Sequence, residues 1–582
     1  MNTRSLSTAH TQRRNPFLLG VFLITFAVLL FQVVQTRILS VIAWYYLAFL
    51  AISVAMLGMT AGAVWVYLKR SRLTPDKLST LLADTSLLTA VAMPASVIVQ
   101  FCLITTLMPT VTSLFSWSLL MTAMTVPYFF AGITVSVALT RSPFPVSIVY
   151  GVDLLGAALG CAAVVGVLNV LDGPSAILVA GLIAGLAAHA FARGATEPEQ
   201  VMLEQRGRWR RPLPITLLLA MLIPLNMTIP FGFKPMLVKD GLEHSFRSRF
   251  ERWNSYSRIV AYPPVATLPS LWGPSPLLNK TQVVKQASMN IDGEAGTRIH
   301  HFDGTTESIA FLRYDIVNLA YHLPDIAKSA VIGVGGGRDL MAAHLFGVKD
   351  ITGIELNPIF IDLLTRHSFY APFSNIMAIP GLKFHVDDAR SWFASTEESF
   401  DLIQMSMIDT WAATGAGAFS LSENGLYTLE GWRAFIGRLT DNGVFTVSRW
   451  YSLGDINESG RMVALAMAAM IDRGVATPRQ HIFVARANAI ATLVLSKSAF
   501  TPSKLNLLRN ETERLGFTVL VAPDMEPESE VLQQILSARD IASINQVASK
   551  IFLDLTVPTD NRPFFFNQLL TIDIGKGGIA ER

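Results

Sequence analysis

Three glycines at alternating positions, Gly333, Gly335 and Gly337 in VIGVGGGRDL, break an apolar run just before a helix-favouring stretch. Without Cβ atoms they let the backbone come close to a ligand. Glu355 closes the later apolar run DITGIEL, where a carboxylate can hold two ribose hydroxyls. Asp387 and Asp388 in LKFHVDDARSWF follow a third run, placed to accept a hydrogen bond from an adenine amino group, and Asp409 in FDLIQMSMIDTW follows a fourth. The chemistry these types suggest is a nucleoside pocket ringed by acids at consecutive strand ends. A dinucleotide fingerprint would carry glycine at Arg338, so nicotinamide-linked oxidoreduction is a minor reading.

These residues need a scaffold that brings successive strand ends to one edge. SAVIGV reads as a short buried strand, RDLMAAHLFG as a helix stopped by Gly347, and DITGIEL as the second strand of a βαβ unit. LKFHV, FDLIQMS and NGVFTVSRW continue the alternation as third, fourth and fifth strands. Ligands of open α/β sheets bind beyond the carboxyl ends of the strands, where Glu355, Asp387, Asp388 and Asp409 all fall. A Rossmann-like domain is thus expected over 326–582. Ahead of it, SRIVAYPP and TQVVKQASMNIDG read as strands with Asp292-Gly293 as a turn, which predicts a small β region over 232–325.

The remainder, 1–231, is of another class. The chain has 582 residues, 51% of them hydrophobic and only 15% charged, too apolar for a soluble enzyme throughout. Runs long enough to cross a bilayer occupy roughly 17–36, 45–68, 81–107, 114–139, 146–170 and 174–192, and a proline-rich seventh candidate covers Leu213 to Pro230. An α-helical transmembrane bundle of six or seven spans is expected. Arg13 and Arg14, then Lys69, Arg70, Arg72 and Lys77, then Arg193 and Arg206 to Arg211 put three loops on the cytoplasmic side. With six spans the rest of the chain stays cytoplasmic; a seventh would carry it across. Arg37, Asp84, Asp153 and His189 are the ionisable residues inside spans. A transport or substrate-entry role competes with the plainer reading that Arg37 marks a boundary and Asp153 has a structural partner. The net charge of +3 is spread along the chain and argues against a nucleic-acid partner. Cys102 and Cys161 lie in apolar runs and read as packing residues, and the ten histidines show no metal-ligand spacing.

VIGVGGGRDLMAAHLFGVKDITGIELNP, followed by VDDAR and MIDTW, resembles the spermidine/spermine synthase family, with WNSYSRI and NIDGEAG similar to its N-terminal strands. Together with the spans, the chain is similar to membrane-embedded, multi-pass spermidine synthase-like proteins of bacteria, and PTDNRPFFF is similar to a late motif of that group. The resemblance implies a small β domain joined to a class I methyltransferase-type domain in the inner membrane, and a role in polyamine biosynthesis. It implies a transferase that moves an aminopropyl group, or a methyl group, from decarboxylated S-adenosylmethionine or S-adenosylmethionine to an amine or polyamine acceptor. The sulfonium is then a co-substrate, no tightly bound cofactor or metal is expected, and a homodimer is admitted. By the same resemblance Gly333, Gly335 and Gly337 shape the nucleoside pocket, Glu355 binds ribose, Asp387 and Asp388 hold adenine, and Asp409 is the catalytic acid. Tyr256, Tyr314, Asp315 and Glu423 are the candidate acceptor residues. Asp560 and Arg562 of the late motif are expected to pair.

The chain also departs from that family. Soluble synthases carry a second aspartate shortly after the catalytic one, where this chain reads TWAATGAGAF, and FLRYD replaces a YHE-like segment. A binding protein therefore stands as the alternative: a sensor or transporter whose C-terminal domain holds nucleoside or polyamine without turnover.

Overall fold

The structure, a computed structural model, describes residues 13–43, 48–74, 77–103, 110–196, 199, 212–229, 232–239, 241–243, 248–293, 295–408, 424–452, 456–549 and 553–566. Asp409 and Glu423 lie outside the described residues. The chain divides into two compact units, the first comprising Met1–Tyr262, Asn290–Ala295 and Trp411–Ser420, the second comprising Pro263–Met289, Gly296–Thr410 and Leu421–Arg582.

The first unit opens with α1 (Arg14–Ile42), α2 (Ala48–Leu68), α3 (Leu78–Cys102), α4 (Val111–Arg141), α5 (Val146–Val170) and α6 (Gly173–Arg193). Among the described residues, six helices are long and apolar enough to cross a membrane, by length and composition. The seventh candidate is α7 (Pro212–Thr228), whose 17 residues rise about 26 Å, just short of a hydrocarbon core of about 30 Å. Thr110 and Asp172 cap α4 and α6 by accepting from the backbone N–H groups of Ser113 and Ser175. The small residues in GVDLLGAALG do bring helices together: a Cβ on Gly156 or Gly160 would stand 2.5 or 2.3 Å from the carbonyl oxygens of Phe22 and Phe26 in α1. The opposite side of α5 presents Leu154, Leu155 and Leu159 outward, apolar contacts that suit lipid.

After α7 come the two-residue strands β1 (Leu237–Val238) and β2 (Gly241–Leu242), then the hairpin β3 (Phe250–Trp253) and β4 (Arg258–Ala261). Arg258 is fully buried and neutralised twice, by Glu243 at 2.5 Å and Glu251 at 3.0 Å. Burial alone would raise the Glu251 carboxyl, but Arg258 and Lys234 outweigh it and hold it at about 2. Arg37, near the end of α1, is buried. Its guanidinium pairs with the buried Asp292 carboxylate, which also accepts the Arg258 backbone N–H at 2.8 Å. Asp292 and Gly293 both adopt left-handed backbone, with φ of 49° and 84°, as a two-residue hairpin turn requires.

The second unit contains β5 (Val265–Thr267), β6 (Val284–Ile291) as far as Met289, β7 (Ala295–His300) from Gly296, and a mixed eight-stranded sheet. Its strands are β8 (Lys328–Ile332), β9 (Asp350–Glu355), β10 (Leu382–Val386), β11 (Phe400–Ser406), β12 (Leu439–Trp450), β13 (Ile482–Ala487), β14 (Ile490–Ser496) and β15 (Thr518–Val521). The order is β10-β9-β8-β11-β12-β14-β13-β15, parallel from β10 to β12 and antiparallel beyond. This is a Rossmann-like arrangement: connections reverse direction after β10, so a crevice opens beyond β8 at the carboxyl edge. β8 and β11 are buried on both faces, so neither shows a regular polar–apolar alternation. Helices α8 (Arg338–Leu345), α9 (Pro358–Thr365), α10 (Ala389–Ser395), α11 (Leu429–Gly437) and α12 (Asn457–Asp472) follow strands or precede them. The core beneath α11 and α12 is aromatic and Met-rich, with Trp432, Phe435, Met462 and Met467 inaccessible to solvent.

Candidate nucleoside site

The turn after β8 is built on conformations that only glycine takes easily. Gly333, Gly335 and Gly337 have φ of 80°, 50° and 81°. Gly336 is required for a different reason. A Cβ there would fall 2.0 Å from the carbonyl oxygen of Arg298 in β7, so strand and turn touch backbone to backbone. We expect Gly336→Ala to displace β7 and cost about 1–3 kcal/mol, comparable to overpacking a core. A lowered thermal midpoint together with weakened nucleoside affinity would show it; an unchanged melt would mean the contact is looser than described.

Glu355, at the end of β9, points its carboxylate back at this turn. Oε2 accepts the Gly335 N–H at 3.2 Å and Oε1 the Asn357 N–H at 2.9 Å. The group is 7% exposed, and burial raises its carboxyl although backbone N–H groups of Asn357, Gly335, Val334 and Leu356 pull the other way. Asn357 caps α9 and Pro358 fills its first turn, which fixes the exit of the chain from β9.

Asp387 follows β10, whose last residue, Val386, pairs with Glu355, and its backbone N–H reaches the Glu355 carbonyl at 3.2 Å. The two acids are therefore neighbours across adjacent strand ends. Asp387 Oδ1 accepts the Asp388 N–H at 2.8 Å, and Asp388 Oδ1 caps α10 by accepting the Ser391 N–H at 2.9 Å. Asp388 thus already has a structural task, one that the pattern Asp before a helix signals. Beside the acids, Leu356 and Val386 are 42% and 55% exposed, apolar side chains left open at the crevice.

On the other side of β8, β11 ends at Ser406 and the chain passes through Met407 with φ of 47°. Left-handed backbone costs a methionine on the order of 1 kcal/mol or more and is found where surroundings impose it. Ile408 then lies against Gly333, whose Cβ position is 2.7 Å from Ile408 Cγ2. The segment leading to Asp409 thus departs from beside the glycine turn.

The remaining candidates have contacts of their own. Tyr256 belongs to the first unit, in the β3–β4 turn, where its backbone N–H is bonded to Asn254 Oδ1. Asp315 is 1% exposed and accepts the backbone N–H groups of Trp272 and Gly273 at 3.0 and 2.9 Å, a staple for that segment. Tyr314 is half-buried and its carbonyl accepts the Ser275 N–H. Asp560 and Arg562 do not pair with each other. Asp560 binds Arg390 of α10 and accepts from Thr428 at 2.9 Å, whereas Arg562 pairs with Asp554 at 2.7 Å. The late motif therefore braces α10, the helix that Asp388 caps. Sequence reasoning assigns no binding role to Arg338 and Asp339, both under 10% exposed directly after the glycine turn, or to Met407.

No protein-family model matches the chain, and no curated protein is significantly similar to it. Among solved structures, a spermidine synthase in complex with the transition-state analogue AdoDATO is 17% identical with a TM-score of 0.29, covering 45% of this chain and 79% of that one. A probable spermidine synthase from Corynebacterium glutamicum is 17% identical with a TM-score of 0.31, over 50% and 94% respectively. Human methyltransferase-like protein 13 with SAH is 15% identical with a TM-score of 0.22, over 36% and 88%. Likeness at this level says nothing of chemistry; the fold reading rests on the strand order itself.

Proposed function

We propose that the second unit binds an S-adenosyl sulfonium compound and transfers an alkyl group from it, aminopropyl or methyl, to an amine acceptor, with the first unit as a multi-pass anchor in a bacterial inner membrane. The observation that carries this reading is the Glu355 carboxylate held against a turn of three left-handed glycines, with Asp387 on the adjoining strand end. Glu355 then holds the ribose hydroxyls, Asp387 the adenine edge, and Leu356 and Val386 flank the base. Asp409 takes the proton that an ammonium must lose before its nitrogen attacks the carbon next to the sulfonium, and that carbon–sulfur bond breaks to leave a neutral thioether. The acceptor, the homodimer and the cytoplasmic side of the unit belong to the same proposal; the last requires that α7 not cross.

Product analysis tests it. Full-length protein given S-adenosylmethionine or its decarboxylated form with putrescine, spermidine or an aminolipid should release methylthioadenosine if aminopropyl moves, or S-adenosylhomocysteine if methyl moves. Binding without either product would favour the sensor or transporter reading, which the acid-free stretch TWAATGAGAF supports. A reporter fused after Arg582 should be active only in the cytoplasm.

A further inference from the structure

The crevice has a polar corner that nucleoside binding leaves unused. The strand order places β8 between β9 and β11. Glu355 and Asp387 occupy the β9–β10 side, while Asp339 lies near Ser406 at the end of β11 on the other. Arg338, the first residue of α8, lies with them. Its Nε donates to Asp339 Oδ1 at 3.3 Å, and its guanidinium covers the Trp272 ring at 5.3 Å. Trp272 in turn meets Trp450, at the end of β12, edge-on at 6.2 Å.

Arg338 is only 9% exposed, yet Nη1 stands 3.9 Å from Asp315 Oδ2, beyond hydrogen-bond reach, and neither Nη1 nor Nη2 donates a hydrogen bond among the described residues. Neither nitrogen is sealed from solvent, so a ligand oxygen can reach these donors, and a hydrogen bond to a charged group is worth more than one between neutral partners. The start of α8 adds the positive end of its dipole to the same place. Two independent features thus call for an oxygen anion beside Arg338, and the adjacent Asp339 supplies a carboxylate for a cation.

We infer that this corner receives an α-amino-carboxylate, Arg338 binding its carboxylate and Asp339 its ammonium, so that the sulfonium ligand is S-adenosylmethionine itself and not the decarboxylated form. The inference rests on the nucleoside reading of the glycine turn. A ligand with adenine at β10 and ribose at β9 carries its sulfur past β8, and its amino-acid tail reaches the β11 side, where Arg338 and Asp339 stand. A decarboxylated tail would present only an ammonium there and leave both guanidinium nitrogens unused.

A matched pair of thioethers tests this by calorimetry on the full-length protein: S-adenosylhomocysteine and its decarboxylated analogue, which differ by one carboxylate. The carboxylated ligand should bind at least about ten-fold more tightly, the scale of one charge-assisted pair. In Arg338→Met the ratio should fall to about one, while methylthioadenosine, which has no amino-acid tail, keeps its affinity within about three-fold. Equal affinities in the wild type, or preference for the decarboxylated analogue, overturn the inference while leaving the nucleoside pocket standing, and that comparison holds even if Arg338→Met fails to fold. If methylthioadenosine does not bind the wild type either, the nucleoside reading falls and takes this inference with it.

Discussion

Asp409→Asn lowers turnover by about 10²- to 10⁴-fold, the usual worth of a positioned proton acceptor, and leaves methylthioadenosine affinity within about three-fold of wild type. The substitution keeps shape and hydrogen-bonding capacity and removes only basicity. Its expected effect follows from where the chain is heading at that point: β11 ends at Ser406, Met407 is forced into left-handed backbone, and Ile408 packs on Gly333. Ile408 is the last described residue of this segment, and Asp409 is the next in sequence. Single-turnover measurements with a fixed acceptor separate chemistry from binding. Turnover unchanged by the substitution would remove Asp409 from the mechanism.

The second large effect concerns the first unit. Breaking the buried Arg37–Asp292 pair from one side leaves an uncompensated charge where Arg37 is 5% and Asp292 0% exposed, and such a loss costs about 3–5 kcal/mol. Arg37→Met should therefore be strongly destabilising. Asp292→Asn should be nearly as harmful, although asparagine tolerates the φ of 49° and can still accept from the Arg258 N–H. The double variant, with neither charge, should recover much of the loss, because removing both partners avoids the stranded ion. Thermal unfolding of the four proteins in one detergent gives the coupling energy. Additive losses would mean the two residues act independently.

Much of the second-unit scaffold could be read from the chain. Gly333 and Glu355 mark the ends of β8 and β9 directly, because a strand buried on both faces has no alternation to obscure it, and Gly347 marks the end of α8. The six long helices were equally plain, since length and hydropathy alone determine them. Long-range pairing was not. Arg37 and Asp292 are 255 positions apart, and nothing local in either segment points to the other. Asp560 and Arg562 misled for the opposite reason: nearness in sequence suggested a pair, but tertiary packing gives Asp560 to Arg390 and Arg562 to Asp554. Asp315 shows the same limit, an acid next to a tyrosine whose carboxylate accepts the distant Trp272 and Gly273 backbone N–H groups. At the site, the glycines and Glu355 were legible because their roles are set by backbone geometry at a strand end. Arg338 was noticed only as a missing glycine, since its burial and unmet donors exist only in the folded chain.

The central claim is that the glycine turn and Glu355 form a nucleoside pocket, and isothermal titration of the full-length protein with methylthioadenosine tests it most directly. The account predicts saturable binding at one site per chain that Glu355→Ala weakens by about ten-fold or more, as expected when charge-assisted hydrogen bonds to ribose are lost. No binding by the wild-type protein, or binding that Glu355→Ala leaves unchanged, would contradict it.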